Sequence, residues 1–302
     1  MCRPCRSVPN GCVHFALVTA ESTPTNQMLA VSAPAGIDGV VLSPSQAMAT
    51  LGFGDVALGR LDVLESLDGV ARGLSCLGAL EARGVTVLNS ASVLLATHDK
   101  LVTARLLHAA RVPHPETRHV RVPAPPLDWI GPAVVKPRHG SWGRDVARCE
   151  TAGELQELLT ALQTRPWFMR HGALVQELIP PVGYDLRVLV AAGHVVGAVR
   201  RDAARHEWRT NVALGATRTP VRRPPDDARE LALRAASAVN GDLVGVDLLP
   251  TPDGSWTVIE VNGAVEFDET YATDVHRRTV ERLLDRVRSR RGDPDQLAVV
   301  QG

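Results

Sequence analysis

The spacing of strand-forming runs changes partway along this 302-residue chain, and that change constrains the fold more than any single motif. Up to residue 96, short apolar runs alternate with helix-length stretches. Val13–Val18 (VHFALV) reads as a buried strand followed by a polar loop, Thr19–Gln27, and a second apolar run covers Gly39–Leu42. Leu61–Leu64, a helix-like stretch over Ala71–Arg83 and Val85–Asn89 continue the alternation, which predicts a small parallel α/β sheet. A helix through Lys100, capped by Thr97, must stop before Pro113. Val122–Pro132 (VPAPPLDWIGP) is a proline-rich connector. Beyond it, strand signals recur at Ala133–Lys136, Val146–Cys149, Leu174–Ile179, Leu186–Ala191, Val195–Val199, Gly245–Leu249 and Trp256–Val261. Helix-like stretches at Ala152–Leu162, Asp226–Val239 and Arg277–Arg290 complete an organisation in three consecutive lobes.

With 33 basic and 33 acidic residues the formal net charge is zero, which argues against nucleic acid or a membrane surface as partner. No apolar run approaches the roughly 20 residues that span a bilayer, and the first residues lack the apolar core of a signal peptide, so a cytoplasmic location is expected. The scattered cysteines do not form a disulfide framework. Cys2 and Cys5 have the spacing of one zinc corner, but with Cys12 alone beyond them no second corner exists, and residues 1–12 read as an extension.

The basic residues include only two lysines, Lys100 and Lys136. A compact ammonium reaches one phosphate oxygen as a point charge, a task for which a forked guanidinium is a poor substitute. Lys136 ends a strand and is followed by a loop with Gly140, Ser141, Trp142 and Gly143, whose glycines let backbone N–H groups turn toward phosphates. Gln176, Glu177, Leu178 and Ile179 suit an adenine-side hinge, and Asp185 and Arg187 share one face of the next strand, an arrangement that a surface ion pair would also explain. Glu260 and Asn262 share a strand face, and pairing with Gly245–Leu249 would bring Asp247 beside them as hard oxygen ligands for Mg²⁺. Arg200, Arg201 and Arg205 form an arginine-rich run before Trp208-Arg-Thr-Asn211.

In order, Lys100, Val135-Lys-Pro, Gly140-Ser-x-Gly, Gln176-Glu, Asp185-x-Arg, Arg209-x-Asn, Gly245-Val-Asp and Glu260-Val-Asn resemble the ATP-grasp carboxylate–amine ligases over roughly residues 85–290. The resemblance is to the RimK and LysX branch, slightly nearer LysX through Gly140-Ser-Trp-Gly-Arg144 and Asn262-Gly-Ala-Val-Glu-Phe267. It implies an α/β, ATP-grasp fold: an extension (1–12), an N-terminal parallel α/β domain (13–96), an ATP-grasp domain (97–291) and a tail (292–302). The ATP-grasp domain divides into a central lobe (about 113–178) and a C-terminal lobe (about 179–291), whose antiparallel sheets enclose ATP. Lys100, Lys136, the Gly140–Gly143 loop, Gln176–Ile179, Asp185 and Arg209 would hold ATP, and Asp247, Glu260 and Asn262 would hold Mg²⁺. Arg209, Asn211 and Lys136 would be catalytic, and Arg187, Arg200, Arg201 and Glu266 would meet substrate.

The implied reaction phosphorylates a carboxylate and couples the acylphosphate to an amino-acid amine, the carboxylate belonging to a small molecule or to the acidic C-terminus of a carrier protein. A homo-oligomer is implied too. The sequence departs from the family where Asp268 and Glu269 follow Glu266-Phe267, a position that usually carries a basic residue, and where Asp145 replaces a frequent glycine. A kinase acting on a hydroxyl and a non-catalytic ATP-binding module are the competing readings.

Overall fold

Strands Val13–Val18 (β1), Ile37–Leu42 (β2), Val56–Gly59 (β3) and Thr86–Leu88 (β4) form a parallel sheet in the order β2-β1-β3-β4. Helices Pro24–Val31 (α1), Pro44–Thr50 (α2) and Leu74–Ala82 (α3) flank it. The computed structural model describes residues 13–121 and 127–292. The extension with Cys2, Cys5 and Cys12, part of the proline-rich connector and the tail beyond residue 292 lie outside the described residues.

Two expectations for this lobe are corrected. Thr19–Gln27 is not all loop: Thr23 accepts a hydrogen bond from the Asn26 amide and Pro24 pre-sets the first helical φ, so α1 begins inside it. Leu61–Leu64 is not a strand, because the sheet position beside β1 is filled by the fully buried β3, and only Val63 bridges to Val70.

Helices Ala91–His98 (α4) and Lys100–Ala109 (α5) lead out of this lobe. The cap of α5 is Asp99, whose Oδ1 accepts from the Leu101 and Val102 amides at 3.1 and 3.4 Å. Thr97 lies within α4 and donates to the Val93 carbonyl, so it is not the cap.

The central lobe holds Thr117–Val120 (β5), Ala133–Pro137 (β6), Ala147–Cys149 (β7), Ala152–Leu162 (α6), Pro166–His171 (α7) and Ala173–Glu177 (β8). Its antiparallel sheet runs β5-β8-β6-β7. Val135, Leu155, Leu159, Trp167, Phe168 and Val175 form its core, which Leu67 of the first lobe joins.

The third lobe comprises Tyr184–Ala191 (β9), His194–Asp202 (β10), Thr217–Pro220 (β11), Asp226–Ala238 (α8), Leu243–Pro250 (β12), Trp256–Asn262 (β13) and Val275–Arg291 (α9). Its antiparallel sheet runs β11-β10-β9-β12-β13. Along α9, Val275, Val280, Leu283, Leu284 and Val287 form a buried stripe at helical spacing. That stripe packs with Phe15, Leu17 and Leu58 of the first lobe and Leu189 and Leu243 of the third, so those lobes share one core. Among the described residues no helix is long and apolar enough to cross a membrane.

Candidate active site

Both lysines reach one cleft from different elements. Lys100 opens α5, and its backbone N–H donates to the Arg138 carbonyl just beyond β6, at 3.1 Å. The Arg138 guanidinium in turn grips Asp99 through Nε–Oδ1 at 2.8 Å and Nη2–Oδ2 at 2.5 Å. Asp99 therefore caps α5 and ties it to the start of the glycine loop, a double task invisible until the two segments meet. The Lys100 ammonium lies 2.8 Å from Glu260 Oε1 on β13 and also donates to the Gly140 carbonyl.

Lys136, near the end of β6, donates to Gln176 Oε1 on the neighbouring β8 at 2.7 Å. Burial strips water from its ammonium and Lys100 repels it, which together lower its pKa to about 8. Gln176 is oriented from behind by Thr117 Oγ1 (2.8 Å) and by His114 Nε2 (3.1 Å), while His114 Nδ1 bonds the Val258 carbonyl at 2.7 Å. Burial, with Lys136 nearby, drops the His114 pKa to about 4, so the ring is neutral. Neither Asp99 nor His114 stood out in the sequence.

The cleft, about 990 Å³, lies between the central and third sheets. Lys100, Lys136, the Gly140–Gly143 loop, Gln176–Ile179, Arg209, Asn211 and Glu260 all line it. At the hinge the Glu177 and Leu178 amides are taken by the Glu116 and Pro132 carbonyls, at 2.9 and 3.2 Å. Gly143 sits at φ +71°, and a Cβ there would lie 2.8 Å from Asn211 Oδ1, so the loop and Asn211 approach as only glycine permits. Arg209 holds the same loop: its Nη1 donates to the Gly143 and Val146 carbonyls at 3.0 and 3.3 Å. The rest of its guanidinium grips Glu207, whose pKa that hydrogen bond pulls down to about 2. Asp145, the departure from the family glycine, adopts φ +51° and accepts the Trp167 indole N–H at 2.7 Å, which anchors the loop to the central core.

Strand pairing places Asp247 opposite Glu260 and Gly245 opposite Asn262, as the sequence suggests, with a register shift directly after Asp247. The Asp247 carboxylate nevertheless departs from the expected metal face. Arg187 grips it through two bonds of 2.6 Å, Arg201 Nη2 approaches at 2.9 Å, and these guanidiniums outweigh burial to hold its pKa below the ordinary range. Asp185 departs as well. It is fully buried under Arg201 and Thr210 Oγ1 (2.6 Å) and does not line the cleft. A buried carboxylate without a counter-ion is costly, so two acids and two arginines interlock beneath the site. Among the described residues no three His, Cys, Asp or Glu side chains gather as a metal-binding group, but Glu260 and Asn262 both line the second cavity, and a carboxylate with a carboxamide is a donor set able to share a hard cation with phosphates.

A second cavity, about 1940 Å³, shares Ser141, Trp142, Arg144, Asn211 and Glu260 with the first and extends to the N-terminal lobe. Arg187, Arg201 and Glu266 line it. Arg200 does not: it pairs with Asp202 at 2.8 Å and its guanidinium lies 3.8 Å over the Tyr184 ring. Asp268, the second departure, pairs with Arg218 at 2.8 Å, and Glu269 sits 3.2 Å from His276. Arg60, which no motif marks, enters this cavity from directly after β3.

A parallel α/β lobe followed by two antiparallel sheets that face each other across a lysine-bearing cleft defines the ATP-grasp class. The match to the RimK-like ATP-grasp domain covers residues 97–283, and the chain belongs to that family. It is 32% identical over 224 residues to a glutamate–LysW ligase, ArgX, of Sulfurisphaera tokodaii, covering 70% of this chain and 76% of that protein. It is also 32% identical over 204 residues to an α-aminoadipate–LysW ligase, LysX, of Sulfolobus acidocaldarius, covering 66% and 73%. In fold it resembles D-alanine–D-alanine ligase of Bacillus anthracis complexed with ATP (TM-score 0.68, 15% identity, 94% and 100% covered). The ATP-grasp ligase PsnB complexed with Mg and ADP is similar too (TM-score 0.62, 17% identity, 92% and 99% covered).

Proposed function

We propose that the protein is an ATP-dependent carboxylate–amine ligase that activates a carboxylate as an acylphosphate and couples it to an amino-acid amine. The observation that carries this reading is the convergence of Lys100 and Lys136, from two elements, on one cleft that opens at Glu260 into a second, larger cavity. Phosphoryl transfer asks for positioning and charge neutralisation rather than covalent help, and these side chains are suited to both. Lys136 and Lys100 hold phosphate oxygens, the Gly140–Gly143 loop covers them, and Gln176–Ile179 receives the adenine. Asn211 stands where nucleotide cleft and substrate cavity meet, Arg209 holds the loop from the cleft side, and the closed loop keeps water from the acylphosphate.

Glu260 and Asn262 would hold Mg²⁺, which when bound neutralises charge between phosphate oxygens. Asp247 serves in this reading as the buried counter-ion that keeps Arg187 and Arg201 in place, and joins the metal only if they release it. The similarity to LysW ligases favours an amino acid as amine and a carrier-protein terminus as carboxylate. Assembly as a homo-oligomer in the cytoplasm belongs to the same reading.

Incubation with ATP, Mg²⁺, hydroxylamine and a panel of carboxylates should yield ADP and a trapped hydroxamate. Folded protein that releases no ADP across the panel would overturn the proposal, and a stable phosphoester would favour the kinase reading.

A further inference from the structure

The ligase reaction needs a second substrate, and the lysines, the loop and the hinge all face the nucleotide. We infer that Glu266 receives the incoming amine and that Arg60, reaching in from the N-terminal lobe, is its positioning residue. This rests on the ligase reading and names the amine side of the same site.

Glu266 stands on the wall of the second cavity with 49% of its side chain exposed. Arg60 Nη2 and Thr23 Oγ1 both donate to its Oε1, at 2.8 and 3.0 Å, and no described residue bonds Oε2. One oxygen is fixed and the other is free to accept. The mount is rigid. The Arg60 side chain is wholly buried, with Nε on Asn26 Oδ1 and Nη1 on the Val265 carbonyl, each at 2.8 Å. On the other side of Glu266, Phe267 exchanges two hydrogen bonds with Thr25, at 3.0 and 3.1 Å. Val265 and Phe267 both sink into the core shared by the first and third lobes. A carboxylate serving only as counter-ion to a buried arginine would be expected to sink with it, whereas Glu266 projects into the cavity.

The surrounding charge has the sign an ammonium needs. The cavity's Arg187, Arg201 and Arg218 are paired with Asp247 and Asp268, and its Arg144 lies 3.5 Å from Glu65. On the N-terminal wall, the Glu21 carboxylate has no partner among the described residues, and Asp62, which accepts from the Val63 amide and lies 3.8 Å from the buried His98 ring, adds a second negative charge to Glu266 near the single charge of Arg60. The uncompensated charge beside Glu266 is negative.

In the step this implies, the ammonium gives one proton to Glu266 and the freed lone pair forms the C–N bond to the acyl carbon. The acyl C–O bond to phosphate breaks, and the second N–H proton leaves with inorganic phosphate.

A competition assay tests the inference. With ATP, Mg²⁺ and a common carboxylate, each of the standard amino acids competes as amine with hydroxylamine, which is largely uncharged at pH 8. Glu266→Gln keeps an acceptor for Arg60 and Thr23 but has no charge. It should shift products from amide toward hydroxamate at least tenfold, by raising KM for the amine and lowering kcat for amide formation together, while hydroxamate formation stays at the wild-type rate. Arg60→Met should shift them the same way, with partial rescue in Arg60→Lys. An unchanged partition in Glu266→Gln overturns the inference even if Arg60→Met fails to fold. Loss of hydroxamate in the wild type strikes the ligase reading instead. In that event calorimetry of the same amino acids binding to the ADP-loaded protein decides, with equal affinity in wild type and Glu266→Gln counting against us.

Discussion

The Lys100 ammonium lies 2.8 Å from Glu260 Oε1, so a cation from the first turn of α5 and an anion from β13 meet at the floor of the nucleotide cleft. The pair orders the site before nucleotide enters: it neutralises Glu260 and keeps Lys100 beside the Gly140 carbonyl.

Replacing either lysine by arginine should therefore fail although charge is kept. Lys136 is buried with its ammonium on Gln176, and a guanidinium brings a larger fork to the same place. Lys136→Arg and Lys100→Arg should each lower kcat/KM for ATP by about 100-fold, the scale of losing one aligned electrostatic contact. ADP release at varied ATP measures this, and wild-type-like values would remove the lysines from the phosphate site.

ATP affinity should weaken above pH 8. The free protein holds Lys136 with a pKa of about 8, and a triphosphate favours its charged form, so binding takes up protons near that pH. Calorimetry in buffers of different ionisation enthalpy should reveal the uptake, and Lys136→Met should abolish it. Without nucleotide the sign reverses. The unfolded chain binds this proton more readily between about pH 8 and 10.5, so folding gains stability from Lys136 as pH rises through that window.

Acid should unfold the protein partly through His114. Its pKa of about 4 lies below the ordinary 6.5, so the unfolded state takes up the proton first and stability drops as pH falls from 6.5 toward 4. The loss is about 3 kcal/mol. His114→Gln should flatten this part of the denaturation profile, and an unchanged slope would exclude the residue as its source.

The interlocked Asp185, Arg201, Asp247 and Arg187 should be strongly non-additive. Arg201→Met leaves two buried carboxylates short of a partner and should cost about 3–5 kcal/mol in urea unfolding. Adding Asp185→Asn should cost much less than it does alone. Simple additivity would show that the residues do not act as one network.

What could be read in advance follows from how local each signal is. Lys136, the glycine loop and Gln176–Ile179 lie on the cleft wall, and each was legible because its pattern fits within a few residues. Helix α3 falls within the helix-like stretch Ala71–Arg83, whereas α1 and α2 are announced by the caps Thr23-Pro24 and Ser43-Pro44 rather than by apolar periodicity. Asp247 was legible as a buried acid, but which partner it takes depends on arginines of two other strands. Arg60 lies 206 residues from Glu266, and nothing local announces that contact. A single arginine directly after a fully buried strand was the available hint.

Helix α9 joins the first and third lobes in one core, whereas the central lobe packs round a separate cluster to which the first lobe adds Leu67. The wall that carries Arg60 and Glu266 belongs to that shared core, and the glycine loop rides on the separately clustered lobe. The two sides of the reaction chamber thus meet across a seam with polar contacts such as Asp68 with Arg170 and His171, the place where the fold can yield without breaking the shared core.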